Sequence, residues 1–145
     1  MSQYVVNKSI SIKAEPSKVW EALTNPEITK KYFFNCRVFS DWVAGSPIIF
    51  KGKMLFVFPI EMKGKVLKVI KERFLQYTLR NGKNADASSS FSTVTDVLTY
   101  QNGETTVAIT DDVGDGAGAE KRYQRSQKGW DKILAGLKKT VEEKN

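Results

Sequence analysis

Histidine is missing from this chain altogether, and cysteine occurs once, at Cys36. The first absence removes Ser-His-Asp and Cys-His nucleophile systems together with the commonest zinc ligand. The second excludes an internal disulfide and fits a reducing compartment, so a cytoplasmic location is expected. No apolar run approaches the ~18 residues of a membrane span, and Met1-Ser2-Gln3 lacks the basic-then-apolar pattern of a secretory leader. Nothing in the sequence calls for a cofactor or a metal.

Acidic residues are also in the minority, 16 against 23 lysines and arginines, which leaves a net charge of +7. Such a balance raises a nucleic-acid partner, but the cations are spread along the whole chain. On the last predicted helix Lys121, Arg125, Lys128, Lys132 and Lys139 make a basic face that Glu120, Asp131, Glu142 and Glu143 dilute. No nucleic-acid-binding fingerprint accompanies them. A solvated helix face accounts for the pattern, and no nucleic-acid partner is expected.

What is present fits one domain. A chain of 145 residues can bury roughly 68% of its unfolded surface. The first strand is predicted near Ser9–Ala14, where Ile10 and Ile12 alternate with polar residues. Pro16 suits the first turn of a helix over about Ser17–Thr24, with Val19, Trp20 and Leu23 on one face. Asn25-Pro26-Glu27 is a second helix start: an Asx cap, a proline in the first turn and an acid behind it. That helix ends near Tyr32-Phe33-Phe34.

Strands are predicted near Cys36–Ser40, Pro47–Lys51, Glu61–Lys71, Phe74–Arg80, Ser92–Gln101 and Thr105–Asp111. Asn102-Gly103 joins the last two as a hairpin, because both residues tolerate positive φ. Asn81–Ser90 reads as a polar loop. A long amphipathic helix over Glu120–Lys144 closes the chain, with Tyr123, Gln127, Trp130, Leu134, Leu137 and Val141 at spacings of three and four. Gly129 and Gly136 interrupt it, either for close packing or to leave volume for a ligand. This order of elements curls one antiparallel sheet around its last helix and leaves an apolar hollow between them.

The blocks SIKAEPSKVWEALTNPEITKKYFF, SDWVAGSPIIFKG, KGKVLKVIKERFLQYTL, TVTDVLTYQNGETTVAIT and GWDKILAGLKKTVEE resemble, in order and spacing, the AHSA-type family. That family is named after the activator of the heat-shock protein 90 ATPase and belongs to the START-like (SRPBCC, birch-pollen-allergen-like) superfamily. The resemblance covers about Ser9 to Glu143. It implies an α+β helix-grip fold: a curved antiparallel sheet, two short helices after the first strand, and a long C-terminal helix across the concave face. Related domains bind lipids, hormones or polyketides, and a minority catalyse cyclisation or hydrolysis. The name-giving co-chaperone carries a further N-terminal domain for which this chain has no room.

The expected function is therefore binding of a small apolar or amphipathic molecule in the cavity. Its candidate wall comprises Trp20, Phe56, Phe58, Tyr77, Asp96, Leu98, Ile109, Tyr123, Trp130 and Leu134. On the Ser92–Gln101 strand the apolar face of Val94, Leu98 and Tyr100 carries Asp96 inward, where the family pattern has an apolar residue. A buried carboxylate needs a partner or stays neutral. A hydrogen bond to Tyr77, Tyr123 or water is the simpler expectation, and contact with a polar ligand group the sharper one.

Alternatives remain open at this point. An enzyme would use Asp96, Asp111 or Glu61 with a tyrosine as acid–base groups. A chaperone-interaction module would use a sheet edge or the apolar Met54–Ile60 segment, which also reads as a lid, core or homodimer contact. The glycine-rich run Asp111–Glu120 lacks P-loop and calcium-loop spacing and reads as a flexible hinge. Cys36 reads as buried rather than nucleophilic.

Overall fold

The computed structural model describes residues 4–54, 58–81 and 92–143, with the side chains of Met54, Phe58 and Asn81 excepted. The chain enters as β1 (Val5–Ile12), which starts earlier than Ser9 because all of it is paired. Its partner is the seventh strand, with Val5 opposite Asp112 and Ile12 opposite Thr105. Two proline-initiated helices follow. In α1 (Pro16–Thr24) the buried face is Val19, Trp20 and Ala22. In α2 (Pro26–Tyr32) the Asn25 side chain accepts a hydrogen bond from the Glu27 amide at 2.9 Å, the cap that the sequence predicts.

The remaining strands are β2 (Cys36–Ser40), β3 (Pro47–Met54), β4 (Phe58–Ile70), β5 (Phe74–Asn81), β6 (Ser92–Gln101) and β7 (Glu104–Asp112). They form a seven-stranded antiparallel sheet in the order β1-β7-β6-β5-β4-β3-β2. Asn102 and Gly103 turn β6 into β7 with φ of 53° and 80°, the left-handed pair a type I′ hairpin needs. Strand β4 resolves an ambiguity in its alternating pattern. A register shift between Val66 and Lys68 lets Val66 bury completely and leaves Leu67 42% exposed. A bulge, not strict alternation, sets which side chains face inward.

The last helix, α3 (Ala119–Glu143), lies across the concave face and buries Trp130, Ile133, Leu134, Leu137 and Val141. Along the β1 edge, Lys8 pairs with Asp131 at 3.1 Å and Lys138 donates to the Ser11 carbonyl. The architecture is the expected α+β helix-grip. The glycine-rich run before α3 is tied to that helix through one side chain. The Arg122 guanidinium donates to the Val113 and Ala117 carbonyls at 2.9 Å each, and Val113 is buried. The Phe56 expectation, and the side chains of Met54 and Phe58, fall outside the described residues, as does the loop beyond Asn81.

The two glycines of α3 differ in what surrounds them. A Cβ on Gly136 would stand 2.8 Å from the Tyr32 Cβ, so α3 and α2 meet there at backbone contact. A Cβ on Gly129 would meet only the Phe34 ring edge, at 3.7 Å. Gly136→Ala should therefore destabilise by about 1–2 kcal/mol, because overpacking outweighs the roughly 1 kcal/mol gain in helix propensity. Gly129→Ala should stabilise slightly. Urea unfolding midpoints of the two variants check the opposite signs.

Candidate functional site

Alternation along β6 and β7 decides which polar groups enter the interior. Val94, Asp96 and Leu98 point inward from β6, and Thr105, Val107, Ile109 and Asp111 do so from β7. Asp96 lies opposite Ile109, and Val94 opposite Asp111. The two carboxylates are thus diagonal neighbours on one face of adjacent strands. Both are buried, Asp96 at 3% exposure and Asp111 at 5%.

Their surroundings are unequal. Asp111 Oδ2 accepts hydrogen bonds from Ser126 Oγ at 2.5 Å and from the Trp130 indole nitrogen at 2.8 Å. Ser126 and Trp130 stand four residues apart on α3, so one helical turn delivers both donors. Asp111 Oδ1 is enclosed and has no partner among the described residues. Asp96 has less: its enclosed Oδ1 meets no donor, and no described residue hydrogen-bonds its carboxyl group. The expected bond from Tyr77 or Tyr123 is not made. Tyr123 packs instead against Tyr4, ring centroids 5.8 Å apart.

Burial, with a further push from the Asp111 charge, raises the Asp96 carboxyl from its ordinary 3.8 to about 7. Burial and then the Asp96 charge push the Tyr77 hydroxyl well above its ordinary range. Tyr32 moves the same way for the same causes, and its hydroxyl donates to the Ala22 carbonyl at 2.7 Å.

Asp96 lines a small inner cavity walled by Tyr32, Phe33, Phe50, Tyr77 and Trp130. Phe33 stacks on Phe50 at 4.5 Å and meets Trp130 edge-on at 5.9 Å. The space open to the centre of a water molecule is about 20 Å³, enough for one water. Beyond lies an open cleft of about 330 Å³ between α3 and the sheet. Phe34, Met62, Leu79, Gly129 and Asp111 line it, with Arg80, Arg122 and Arg125 also on its wall. Phe33, Trp130 and Ile133 belong to both spaces and partition them.

Of the residues singled out from sequence, Tyr77, Asp96, Ile109, Trp130 and Leu134 line the inner cavity. Trp20 and Leu98 are buried, and Tyr123 half-buried, but none of the three lines either space. Glu61 pairs with Lys63 at 3.3 Å and lines neither space, apart from Asp96 and Asp111. Cys36 is fully buried, and burial raises its thiol. Sequence reasoning missed Tyr32, Phe33, Phe50 and Ser126. Only Ser126 carried a signal, its spacing of four from Trp130.

Comparison with known proteins places these features in a family. The family model described as activator of Hsp90 ATPase homolog 1-like protein matches residues 13–142. No curated protein sequence matches. A solved structure from Cytophaga hutchinsonii is 34% identical, covers 99% of this chain and 97% of its own, and has a TM-score of 0.78. The Aha1 dimer of Colwellia psychrerythraea is 23% identical at TM-score 0.70, covering 95% of this chain and 96% of its own. DynU16, from the dynemicin biosynthetic locus, is 19% identical at TM-score 0.78, covering 97% of this chain and 48% of its own. These last two speak for the fold alone.

The raised Asp96 carboxyl makes stability depend on pH with a definite sign. Folded protein holds the proton up to about pH 7, whereas the unfolded chain releases it near 3.8. The Asp96 contribution is therefore fully present below that lower value and lost as pH rises through about 7. At ~1.4 kcal/mol per unit the loss is on the order of 2–4 kcal/mol. Asp96→Asn should remove this slope and be the more stable protein at pH 8. Denaturant titrations of both proteins between pH 4.5 and 8 measure it, and parallel profiles would contradict the assignment.

Proposed function

The chain belongs to the family of activator of Hsp90 ATPase homolog 1-like proteins, and on that footing we propose that it binds a small amphipathic molecule between its sheet and α3. The observation that carries this reading is the cleft of about 330 Å³, separated only by Phe33, Trp130 and Ile133 from a buried carboxylate that has no partner among the described residues. Ligand sites combine an apolar wall with a few convergent polar groups, and both components are present. Gly129 supports the reading, since its missing side chain leaves the cleft wall open where a larger residue would fill it.

Acid–base chemistry in the same cavity is the second reading. It is favoured by the convergence of two carboxylates on one apolar interior, one of them titrating near neutrality. Chaperone activation enters only through the family's name, and a shared fold does not transfer an activity.

Native mass spectrometry of the purified protein, followed by extraction of whatever is bound, tests the binding reading. A stoichiometric adduct the size of a lipid or aromatic metabolite is expected. Gly129→Leu should keep its cooperative unfolding and lose at least four-fifths of that adduct, because the new side chain enters the cleft. An apo mass with no thermal shift across a panel of apolar compounds would sink the reading.

A further inference from the structure

We propose that the ligand carries a primary ammonium group, which seats against the Asp96 carboxylate while its hydrocarbon or aromatic body lies in the outer cleft. This rests on the cavity-binding reading above and adds the chemistry of the ligand's inner end.

Unmet hydrogen-bonding capacity is the first argument. An ionised carboxylate only accepts, and the enclosed Oδ1 atoms of Asp96 and Asp111 both lack a donor. An ammonium group offers three donors, whereas a hydroxyl offers one. Charge is the second. Among the described residues no lysine or arginine lines the inner cavity, so nothing on its wall balances the negative charge of Asp96, to which the neighbouring Asp111 adds a second. A cation is the occupant that such a pair stabilises, and a fatty-acid carboxylate is one that it repels. The wall itself is the third. Phe33, Phe50, Tyr77 and Trp130 present ring surface beside Asp96, and aromatic faces attract cations in a desolvated site.

Size narrows the class. The inner space of about 20 Å³ admits a water-sized group. A primary ammonium has that size, and a trimethylammonium does not. The body of the molecule has to remain in the cleft, so its ammonium end enters only as the Phe33 and Trp130 rings that divide the two spaces move apart. There Arg80, Arg122 and Arg125 oppose a second cation, so the ligand bears its positive charge only at the inner end.

Titration supplies a readout that packing alone would not. The groups facing Asp96 are Tyr32 from α2, Tyr77 from β5 and Asp111 from β7, with Lys8 of β1 held by Asp131 of α3 at the sheet edge. Among them Asp96 is the group placed near pH 7. An amine that stays charged needs Asp96 ionised, so its affinity should rise about tenfold between pH 6 and 8.

The experiment is calorimetric titration of the full chain with n-octylamine, n-octanol and octanoate at pH 6, 7 and 8. Octylamine is expected to bind at least tenfold more tightly than octanol at pH 8 and to show the pH rise. Asp96→Asn is expected to bind octylamine and octanol alike, with no pH dependence. If that variant does not fold, the pH profile of the unaltered protein decides alone. Octanol or octanoate binding as tightly as octylamine, or an amine affinity flat with pH, overturns the ammonium assignment and leaves the binding reading standing. Failure of all three probes, together with an apo mass and no thermal shift, overturns both.

Discussion

A single buried carboxylate joins the last helix to the sheet it crosses. Asp111 on β7 accepts from both Ser126 and Trp130 of α3 through the same oxygen. Hydrogen bonds to a charged acceptor in a dry interior are roughly twice as strong as neutral ones. They are also directional, which apolar packing is not. Sliding α3 by one residue would move both donors off the acid and leave a buried charge unmet. That penalty fixes the rotation and register of the helix over the concave face. The apolar contacts of Ile133, Leu134 and Leu137 and the edge contacts Lys8–Asp131 and Lys138–Ser11 are made in that same position.

Once α3 is fixed, the remaining interior is divided by where its backbone lies. At Gly136 the helix approaches α2 until a methyl group would collide with Tyr32, and the core there is closed. Two turns earlier, at Gly129, the nearest neighbour is a ring edge at van der Waals distance, and the space opens into the cleft. Trp130, held by its indole N–H, stands between the closed and open regions and borders both. The helix that closes the core also forms one wall of the cleft.

Local chemistry made the fold legible. Asn25 capping α2, the Asn102-Gly103 hairpin and the alternation of β6 each depend on a few consecutive residues, and each was read with its place in the chain nearly right. The β4 bulge was not legible, since Val66-Leu67-Lys68 scans equally well in either phase until β5 fixes a partner. Within the site, Asp96 could be placed inward from its own strand. Its relation to Asp111 depends on the register between β6 and β7, and its lack of a partner on where Tyr77 and Tyr123 finally point. Phe33 ends α2 and Phe50 lies on β3, and their rings stack only once those two elements pack together. Residues that a site recruits across the sheet leave no local pattern.

The two acids raise different questions about why they are kept. Replacing a buried charged group by an apolar one of similar volume is often neutral or stabilising, so burial of charge is weak support for stability. Asp111 has a structural account, because an apolar side chain there would release Ser126 and Trp130 and free the helix. Asp96 has none of that kind: it orients no described side chain, and its own enclosed oxygen is unmet. A leucine at that position would suit the surrounding Leu75, Ile109 and Leu134 better. A group that faces a cavity, titrates near neutrality and has no structural partner among the described residues is the kind that functional sites keep, and the proposed ligand would supply the partner.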